Sequence, residues 1–245
     1  MHGLGTLINV AAILLGGFIG LFLKKGLDEK LIDSVMKAIG VAVMFVGISG
    51  ALTGLLKVTD GGLETSGTML MIISLILGTF VGELLKIEDR LESVGEKLKK
   101  AVKAKDSGSF VEGFVTTTLI FCVGAMAIVG SLEDGLTGNF SMLAAKSVLD
   151  GIMAIIVAST MGIGVLFSAI PVFLYQGAIT LLAEFISPVL SDQLVLNLSY
   201  IGSALIFGIG VNQVFGKKIK TGNMLPALLV PIVYELFTKL VLPLF

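Results

Sequence analysis

The chain has 245 residues, of which 55% are hydrophobic and only 14% are charged, and its mean hydropathy is +1.02. A soluble domain carries about 25% charged residues, so this composition excludes a soluble protein and predicts an all-α integral membrane protein. The net charge of -1 excludes a global basic field for nucleic acid. With one histidine and one cysteine in the chain, we expect no enzyme, no cofactor and no bound metal.

Eight apolar stretches predict eight transmembrane helices, because about 20 apolar residues cross a bilayer and lipid cannot pair the backbone groups of open strands. The run from Val148 to Ile186 has to turn once, and we place the turn at 168–171, where Pro171 disfavours a continuous helix. The stretches are Leu4–Leu23, Met36–Leu56, Gly67–Leu85, Phe114–Leu132, Val148–Phe167, Pro171–Ile186, Leu194–Phe215 and Met224–Phe245.

The lysines and arginines predict the orientation of these helices. If the N-terminus lies outside, 14 of the 17 basic residues fall in the inner segments 24–37, 86–105 and 217–220. Cytoplasmic loops carry the excess of Lys and Arg in membrane proteins. Eight spans then place both termini outside.

The first and third stretches resemble each other at a constant offset of 62 residues. Segments 5–24 and 67–86 share eight of 20 residues without a gap. We interpret this as a tandem duplication of helices 1–2 into helices 3–4, with repeat units at 1–56 and 63–132 inside a single membrane domain, 1–245. Internal repeats are a common way to build transporters.

Each copy contains a GxxxG pair, Gly16 with Gly20 and Gly78 with Gly82. A spacing of four places both glycines on one helix face, where another backbone can approach closely. We expect these four glycines to pack helices. The partner is either helix 3 against helix 1 or a second subunit, and the latter predicts a homo-oligomer.

Polar residues inside apolar spans are candidate functional residues, because their burial is costly. Asn9 lies in the first span and Gln176 in the sixth. Lys146 and Asp150 are four residues apart at the start of the fifth span, so they can pair on one helix face. The simpler interpretation of that pair is a salt bridge near the helix start.

The candidate site is predicted among helices 5–8, in residues 148–245. Three stretches interrupted by Gly or Pro lie there, at 162–171, 208–212 and 223–231. An interrupted helix leaves N–H and C=O groups that need protein, water or a ligand as partner. The residues predicted to bind a small solute or ion are Asn212, Gln213, Glu184, Asn223 and Asp150. The alternative is that the interruptions are ordinary kinks and nothing binds.

Segment 87–105 predicts an amphipathic helix on the cytoplasmic face of the membrane. Ile87, Leu91, Val94 and Leu98 recur at helical spacing between charged residues. Anionic membrane lipids are the expected partner of this helix, and a partner protein is the alternative.

Longer motifs add a family resemblance. The opening GLGTLINVAAILLGGFIG, followed by a KKG loop and by VGISGAL at 46–52, resembles the YqgA-like family of bacterial membrane proteins of unknown function. The same pattern continues in GELLKIEDRLESVGEKLK at 82–99 and LDGIMAIIVASTMGIGVLFSAIPVFLYQG at 149–177. The resemblance implies a multi-span protein of the bacterial cytoplasmic (inner) membrane. It implies no reaction, and it transfers no functional residue.

Two functions are left open by the sequence. The first is a membrane transporter or channel-like protein for a small solute or ion, favoured by the eight spans, the duplication and the polar residues within the membrane. The second is a non-transporting scaffold or sensor, with the amphipathic segment 87–105 as its working surface. A polar cavity inside the bundle would favour transport, whereas a dry interior would favour the scaffold.

Overall fold

The computed structural model describes residues 2–24, 29–103, 109–122, 125–188 and 190–240, and it is helical almost throughout. Two short strands, Leu56–Thr59 (β1) and Gly62–Thr65 (β2), form an antiparallel hairpin between the second and third helices. A 3-10 helix covers Thr221–Leu228. The α-helices are Leu4–Lys24 (α1), Glu29–Leu55 (α2), Thr68–Leu85 (α3), Ile87–Ala101 (α4), Ser109–Cys122 (α5), Ala125–Thr137 (α6), Ser141–Met161 (α7), Gly164–Phe167 (α8), Ala169–Leu181 (α9), Ala183–Ile186 (α10), Asp192–Phe215 (α11) and Leu229–Leu240 (α12).

The described residues contain six helices that are long and apolar enough to cross a membrane. A seventh candidate arises if α5 and α6, which are bent by 60° relative to each other, form one span. The prediction of a helical membrane protein is thereby confirmed, and the number eight stays a prediction. The six are Leu4–Leu23, Asp33–Leu55, Thr68–Leu85, Ser141–Met161, Gly164–Leu181 and Asp192–Phe215.

The surface of α3 has the opposite pattern to that of a helix in a soluble protein, because its large apolar side chains are exposed and its small residues are buried. Met69 and Phe80 are exposed by 70% and 64%, whereas the buried stripe consists of Ser74, Gly78 and Gly82. In water such a surface would be an aggregation hazard. In lipid it is the expected arrangement, because apolar side chains face the acyl chains and small residues let helices pack closely.

The predicted turn at 168–171 is wrong, because the break lies at Gly162. Gly162 has φ +83°, a conformation that favours glycine, and it ends α7. Ser168 instead continues the helical path, since its carbonyl accepts the Val172 N–H at 3.1 Å. Pro171 lies in the first turn of α9, where proline is tolerated.

The other two expected interruptions have different outcomes. The interruption expected at 208–212 is wrong, because α11 runs unbroken from Asp192 to Phe215. The interruption expected at 223–231 corresponds to the 3-10 helix, which contains Pro226. The hairpin β1–β2 was not predicted, although its Asp60-Gly61-Gly62 sequence is a common turn signal.

The chain divides into two compact units, Met1–Ile39 with Asp89–Pro188, and Gly40–Glu88 with Val189–Phe245. The first unit has an apolar core around Ile13, Phe121 and Val157. The second packs Tyr200, Ile201 and Ala227 together. The boundaries of these compact units do not coincide with those of the predicted repeat units, 1–56 and 63–132. The duplication stays a prediction.

The predicted amphipathic segment forms helix α4 over Ile87–Ala101. In the first unit, its Gly95 packs against α5, since a methyl group at Gly95 would lie 3.2 Å from Val111. Residues 104–105 of the predicted segment lie outside the described residues. The placement of α4 on the membrane surface stays a prediction.

Candidate functional site

Close backbone packing of α1 on α7 builds the frame of the site. A methyl group added at Gly16 would overlap the carbonyl oxygen of Gly151 and lie 3.2 Å from the Cβ of Ala154. One added at Gly20 would overlap the carbonyl oxygen of Ile155. These glycines therefore let two backbones touch and bring polar side chains of α1 within reach of α7.

Four polar side chains meet where α1, α7 and α9 pack together. Lys146 donates to Asp150 Oδ2 one turn along α7, and Asn9 Nδ2 donates to the same oxygen at 3.0 Å. Asn9 Nδ2 also lies 3.3 Å from Gln176 Oε1 on α9. Asn9 and Gln176 are fully buried, and Lys146 and Asp150 are each only 6% exposed. We call these four residues the polar cluster.

The carboxylate of the polar cluster lies well inside its span. Asp150 is nine residues from the start of α7, which corresponds to about 14 Å of helix. An ion pair at such a depth loses most of its hydration, and it persists only with good partners. The Lys146 ammonium also lies 5.9 Å from the centre of the Phe121 ring, within range of a cation–π contact.

Several buried polar atoms at the cluster have no hydrogen-bond partner among the described residues. They are Asn9 Oδ1, Gln176 Nε2 and Thr6 Oγ1. Thr6 is 2% exposed and precedes Asn9 by three residues on α1, so both side chains share a helix face. A buried polar atom without any partner costs about 1–3 kcal/mol, so such atoms in native proteins are usually paired with protein, an ordered water or a bound ion.

A track of buried polar residues connects the polar cluster with the end of the unit where α1 and α7 begin. Thr180 is one turn beyond Gln176 on α9 and donates to the Ser131 carbonyl at 3.1 Å. Further along α6, Asp134 accepts the N–H groups of Gly3 and Gly5 at 3.1 and 3.0 Å. The Thr180, Ser131 and Asp134 side chains are all buried. We call these three residues the polar track.

An apolar groove of about 530 Å³ runs beside α1 and α9 in the same unit. Val10 and Leu14 line it from α1, and Phe173 and Leu174 line it from α9. This lining suits a lipid acyl chain and offers no ligand to an ion. The groove is therefore distinct in chemistry from the polar cluster.

The predicted site residues are distributed over both units. Asp150 belongs to the polar cluster, whereas Glu184 lies exposed on α10. Asn212 closes the loop after α11: it accepts the N–H groups of Lys218 and Ile219 at 2.8 Å each and donates to the Ile219 carbonyl at 2.7 Å. Asn212 therefore stabilises the conformation of this loop in the second unit.

Asn223 and Gln213 also lie in the second unit. Asn223 accepts the backbone N–H of Glu88 at 2.7 Å, and Glu88 in turn accepts the Gly222 N–H at 3.0 Å and pairs with Lys217 at 2.7 Å. These bonds fasten the 3-10 helix to the start of α4. Gln213 is 9% exposed, and neither its Oε1 nor its Nε2 has a partner among the described residues.

The second GxxxG pair packs against the 3-10 helix. A methyl group at Gly78 would lie 2.6 Å from the Cβ of Ala227, and one at Gly82 would lie 2.8 Å from the Cα of Asn223. Both predicted glycine faces are thus covered within their own units. The GxxxG faces therefore give no support to a homo-oligomer, which stays a prediction.

The sequence predicts each member of the polar cluster as a candidate functional residue, but it does not predict that the four lie together. Asn9 and Gln176 are 167 residues apart, and hydrophobic periodicity does not say which helices pack together. The role of Asp134 was missed. The available signal was the pair of acidic residues, Glu133 and Asp134, near the end of the mostly apolar segment 125–137.

The chemistry of the cluster is that of a binding or transfer site for charge. It combines one carboxylate, one ammonium and amide groups inside a low-dielectric bundle, where each charge interacts strongly with its neighbours. Among the residues that the structure describes, no three His, Cys, Asp or Glu side chains come together to hold a metal ion.

The fold and the site define a helical membrane protein with a buried charged cluster. The chain belongs to the family described as protein of unknown function (DUF554), whose model matches residues 4–236. It is 32% identical to the uncharacterized membrane protein YdfK of Bacillus subtilis (strain 168) over 227 residues, 93% of each chain. It is 30% identical to the uncharacterized protein YqgA of Escherichia coli (strain K12) over 230 residues, 92% of this chain and 93% of YqgA. No solved structure matches the chain.

Proposed function

We propose that this protein is an eight-span transporter or channel-like protein that carries a small polar solute or ion through its first unit. The observation that supports the proposal is the buried Lys146–Asp150 pair with its partners Asn9 and Gln176. Ionisable residues within membrane spans are costly, and they commonly mark ion or substrate pathways. The polar track adds hydrogen-bonding groups between this cluster and one end of the unit.

Helix directions in the first unit support counting α5 and α6 as one span. Phe110 lies against Gly164, and Gly135 lies against Thr180. The bent pair therefore runs along the whole span 164–181 in the same direction, as expected for the fourth and sixth of eight spans. Spans α1 and α7 also run parallel, as expected for the first and fifth, because Gly5 packs on Leu143 and Gly20 on Ile155.

Helix directions in the second unit support an eighth span at the C-terminal end. Gly47 packs on Phe207 and Gly54 on Tyr200, so α2 and α11 are antiparallel, as expected for the second and seventh spans. Gly78 packs on Ala227 and Gly82 on Asn223, so the 3-10 helix runs antiparallel to α3. An eighth span opposite in direction to the third gives that arrangement.

The proposed location is the bacterial inner membrane with both termini outside. The concentration of lysines and arginines in segments 24–37, 86–105 and 217–220 supports this orientation. The relative YdfK is itself described as a membrane protein.

A scaffold or sensor function has less support. Such a function would use the exposed face of α4, on which Val94 and Lys97 lie, but it leaves the buried Lys146–Asp150 pair without an explanation. The apolar groove suits a lipid, which either function would accommodate.

Flux through reconstituted protein tests the proposal. Liposomes containing the purified full-length chain are given inward gradients of Na⁺, K⁺, H⁺ and chloride in turn, with ion-selective dyes inside. The proposal expects flux of at least one ion above that of empty liposomes, and its loss in Asp150→Asn. Glu184→Gln is the matched control, because that carboxylate is exposed and should leave the flux unchanged. An Asp150→Asn protein that folds and conducts like wild type contradicts the proposed pathway.

A further inference from the structure

We infer that the polar cluster is a binding site for one alkali-metal cation, Na⁺ or K⁺, which replaces the Lys146 ammonium at Asp150. This inference rests on the proposed function, because it names the class of ion that the site takes. In the described structure the ammonium of Lys146 occupies the place of that cation, bonded to Asp150 Oδ2.

Asp150 and the polar residues packed beside it on α1 and α9 carry oxygen atoms of the kind that alkali-metal cations prefer as ligands. Membrane proteins coordinate Na⁺ and K⁺ with carbonyl, hydroxyl and carboxylate oxygens that replace the hydration shell. Besides the carboxylate, the cluster contains Asn9 Oδ1, and Thr6 Oγ1 lies one turn before Asn9 on the same face of α1; both oxygens are buried and without a partner among the described residues. Gln176 Oε1 lies 3.3 Å from Asn9 Nδ2 and adds a further oxygen. The two unpartnered oxygens, Asn9 Oδ1 and Thr6 Oγ1, are explained if the cluster has a second, cation-filled state in which the Asn9 amide turns its oxygen toward Asp150.

The charge of the cluster selects a monovalent ion. Asp150 is its one carboxylate, and the amide and hydroxyl groups of Asn9, Gln176 and Thr6 are neutral. One cation in place of the ammonium leaves the cluster neutral, whereas a divalent ion would leave an excess positive charge in a low-dielectric interior. Such an excess is strongly unfavourable.

Lys146 has an alternative position for its charge when the cation is bound. It lies five residues from the first residue of α7, which is about 8 Å of helix. A lysine near a span end can extend its aliphatic chain and place the ammonium at the membrane surface. The exchange therefore moves one positive charge out of the cluster as another enters, and no proton has to be transferred.

Cation-dependent stability of the purified protein in detergent tests the inference without requiring transport. Unfolding is followed in NaCl, in KCl and in choline chloride at equal ionic strength. A bound cation raises the melting temperature by mass action, whereas choline is too large for the site. We expect wild type to melt several degrees higher in one of the alkali chlorides. Asp150→Asn removes this difference, and Thr6→Val reduces it while leaving the Lys146–Asp150 pair in place.

Removal of the competing ammonium gives a second, sharper readout. Lys146→Met leaves the buried Asp150 carboxylate without its cation, so the variant is destabilised in choline chloride. An alkali-metal cation should restore its stability, and the apparent affinity should be about tenfold higher than in wild type, because no ammonium competes for Asp150. The matched control is the double variant Lys146→Met/Asp150→Leu, in which an apolar pair replaces the ion pair. It should fold without any response to Na⁺ or K⁺.

The outcomes separate this inference from the proposed function. If wild type and Lys146→Met melt at the same temperature in alkali and choline chlorides, the cation site is refuted even where flux of another ion or solute is found. If the double variant keeps the full alkali response, the cation binds elsewhere and the inference is again refuted. A response lost in Asp150→Asn and enhanced in Lys146→Met supports the site, even if no flux is measured in liposomes.

Discussion

Replacement of Gly16 by alanine is expected to destabilise the first unit, although alanine is the better helix former. The added methyl group would overlap the carbonyl oxygen of Gly151 and lie 3.0 Å from its carbonyl carbon. Ordinary contacts of this kind are longer, so α1 has to move away from α7 along a close-packed face. Overpacking of this kind costs about 1–3 kcal/mol.

Gly177→Ala is the matched control in the same unit. Apart from its chain neighbours and the backbone of its own helix, no atom lies within 4 Å of a methyl group built on Gly177. Alanine should then be neutral or stabilise the helix by up to about 1 kcal/mol. Gly16→Ala is therefore expected to lower the stability of the unit, whereas Gly177→Ala is not. This difference separates the close contact at Gly16 from the general effect of replacing glycine by alanine.

The single cysteine of the chain provides the assay. Cys122 on α5 is partly buried, so a fluorogenic thiol reagent reports its exposure as the first unit unfolds in detergent. We expect the Gly16→Ala midpoint to fall by about 2–12 °C relative to wild type. If Gly16→Ala melts at or above wild type, the close contact between α1 and α7 is refuted, and the geometry of the polar cluster with it.

Three further predictions concern other parts of the molecule. Asp134→Leu removes the acceptor of two backbone N–H groups at the start of α1, so stability should fall by about 1–2 kcal/mol in the same thiol assay, and Asp134→Asn should lose less. Asn212→Leu breaks three hydrogen bonds that close the loop after α11, so trypsin should cleave after Lys218 faster than in wild type; unchanged cleavage would show that the loop is held otherwise. The orientation is tested with an impermeant thiol reagent on intact cells, in a Cys122→Ala background. The reagent should label Lys57→Cys and leave Lys218→Cys unlabelled, whereas the reverse pattern would show the opposite orientation.

Hydrophobic stretches predicted the class of the fold, because the cost of unpaired backbone groups in lipid leaves few alternatives to helices. They did not predict where helices break. Pro171 predicts a turn at 168–171, but proline is tolerated in a first helical turn, and Gly162 makes the break because its φ of +83° favours glycine. The same limit explains why Gly208–Asn212 was expected to interrupt a helix that is continuous.

The candidate site was predicted only in part, because a sequence pattern does not pair helices. Asp150 was correctly placed within a span, yet its partners Asn9 and Gln176 come from helices that are distant in sequence. Asn212 and Asn223 looked equally suitable, but the structure shows them bonded to local backbone groups of the second unit. Glu184 is exposed on α10, and an exposed carboxylate has no special role in a buried site.

A transport pathway through the first unit requires that water and ions reach the polar cluster, which is then not a dry structural core. Reactivity of Thr6→Cys with a small charged methanethiosulfonate reagent, in membrane vesicles and a Cys122→Ala background, tests this most directly. Val157→Cys is the control, because Val157 is as deeply buried, at 1% exposure, but lies in the apolar core of the same unit. We predict that Thr6→Cys reacts far faster than Val157→Cys. Equal, negligible reaction of both cysteines from either side of the membrane would contradict the transport pathway and favour a scaffold.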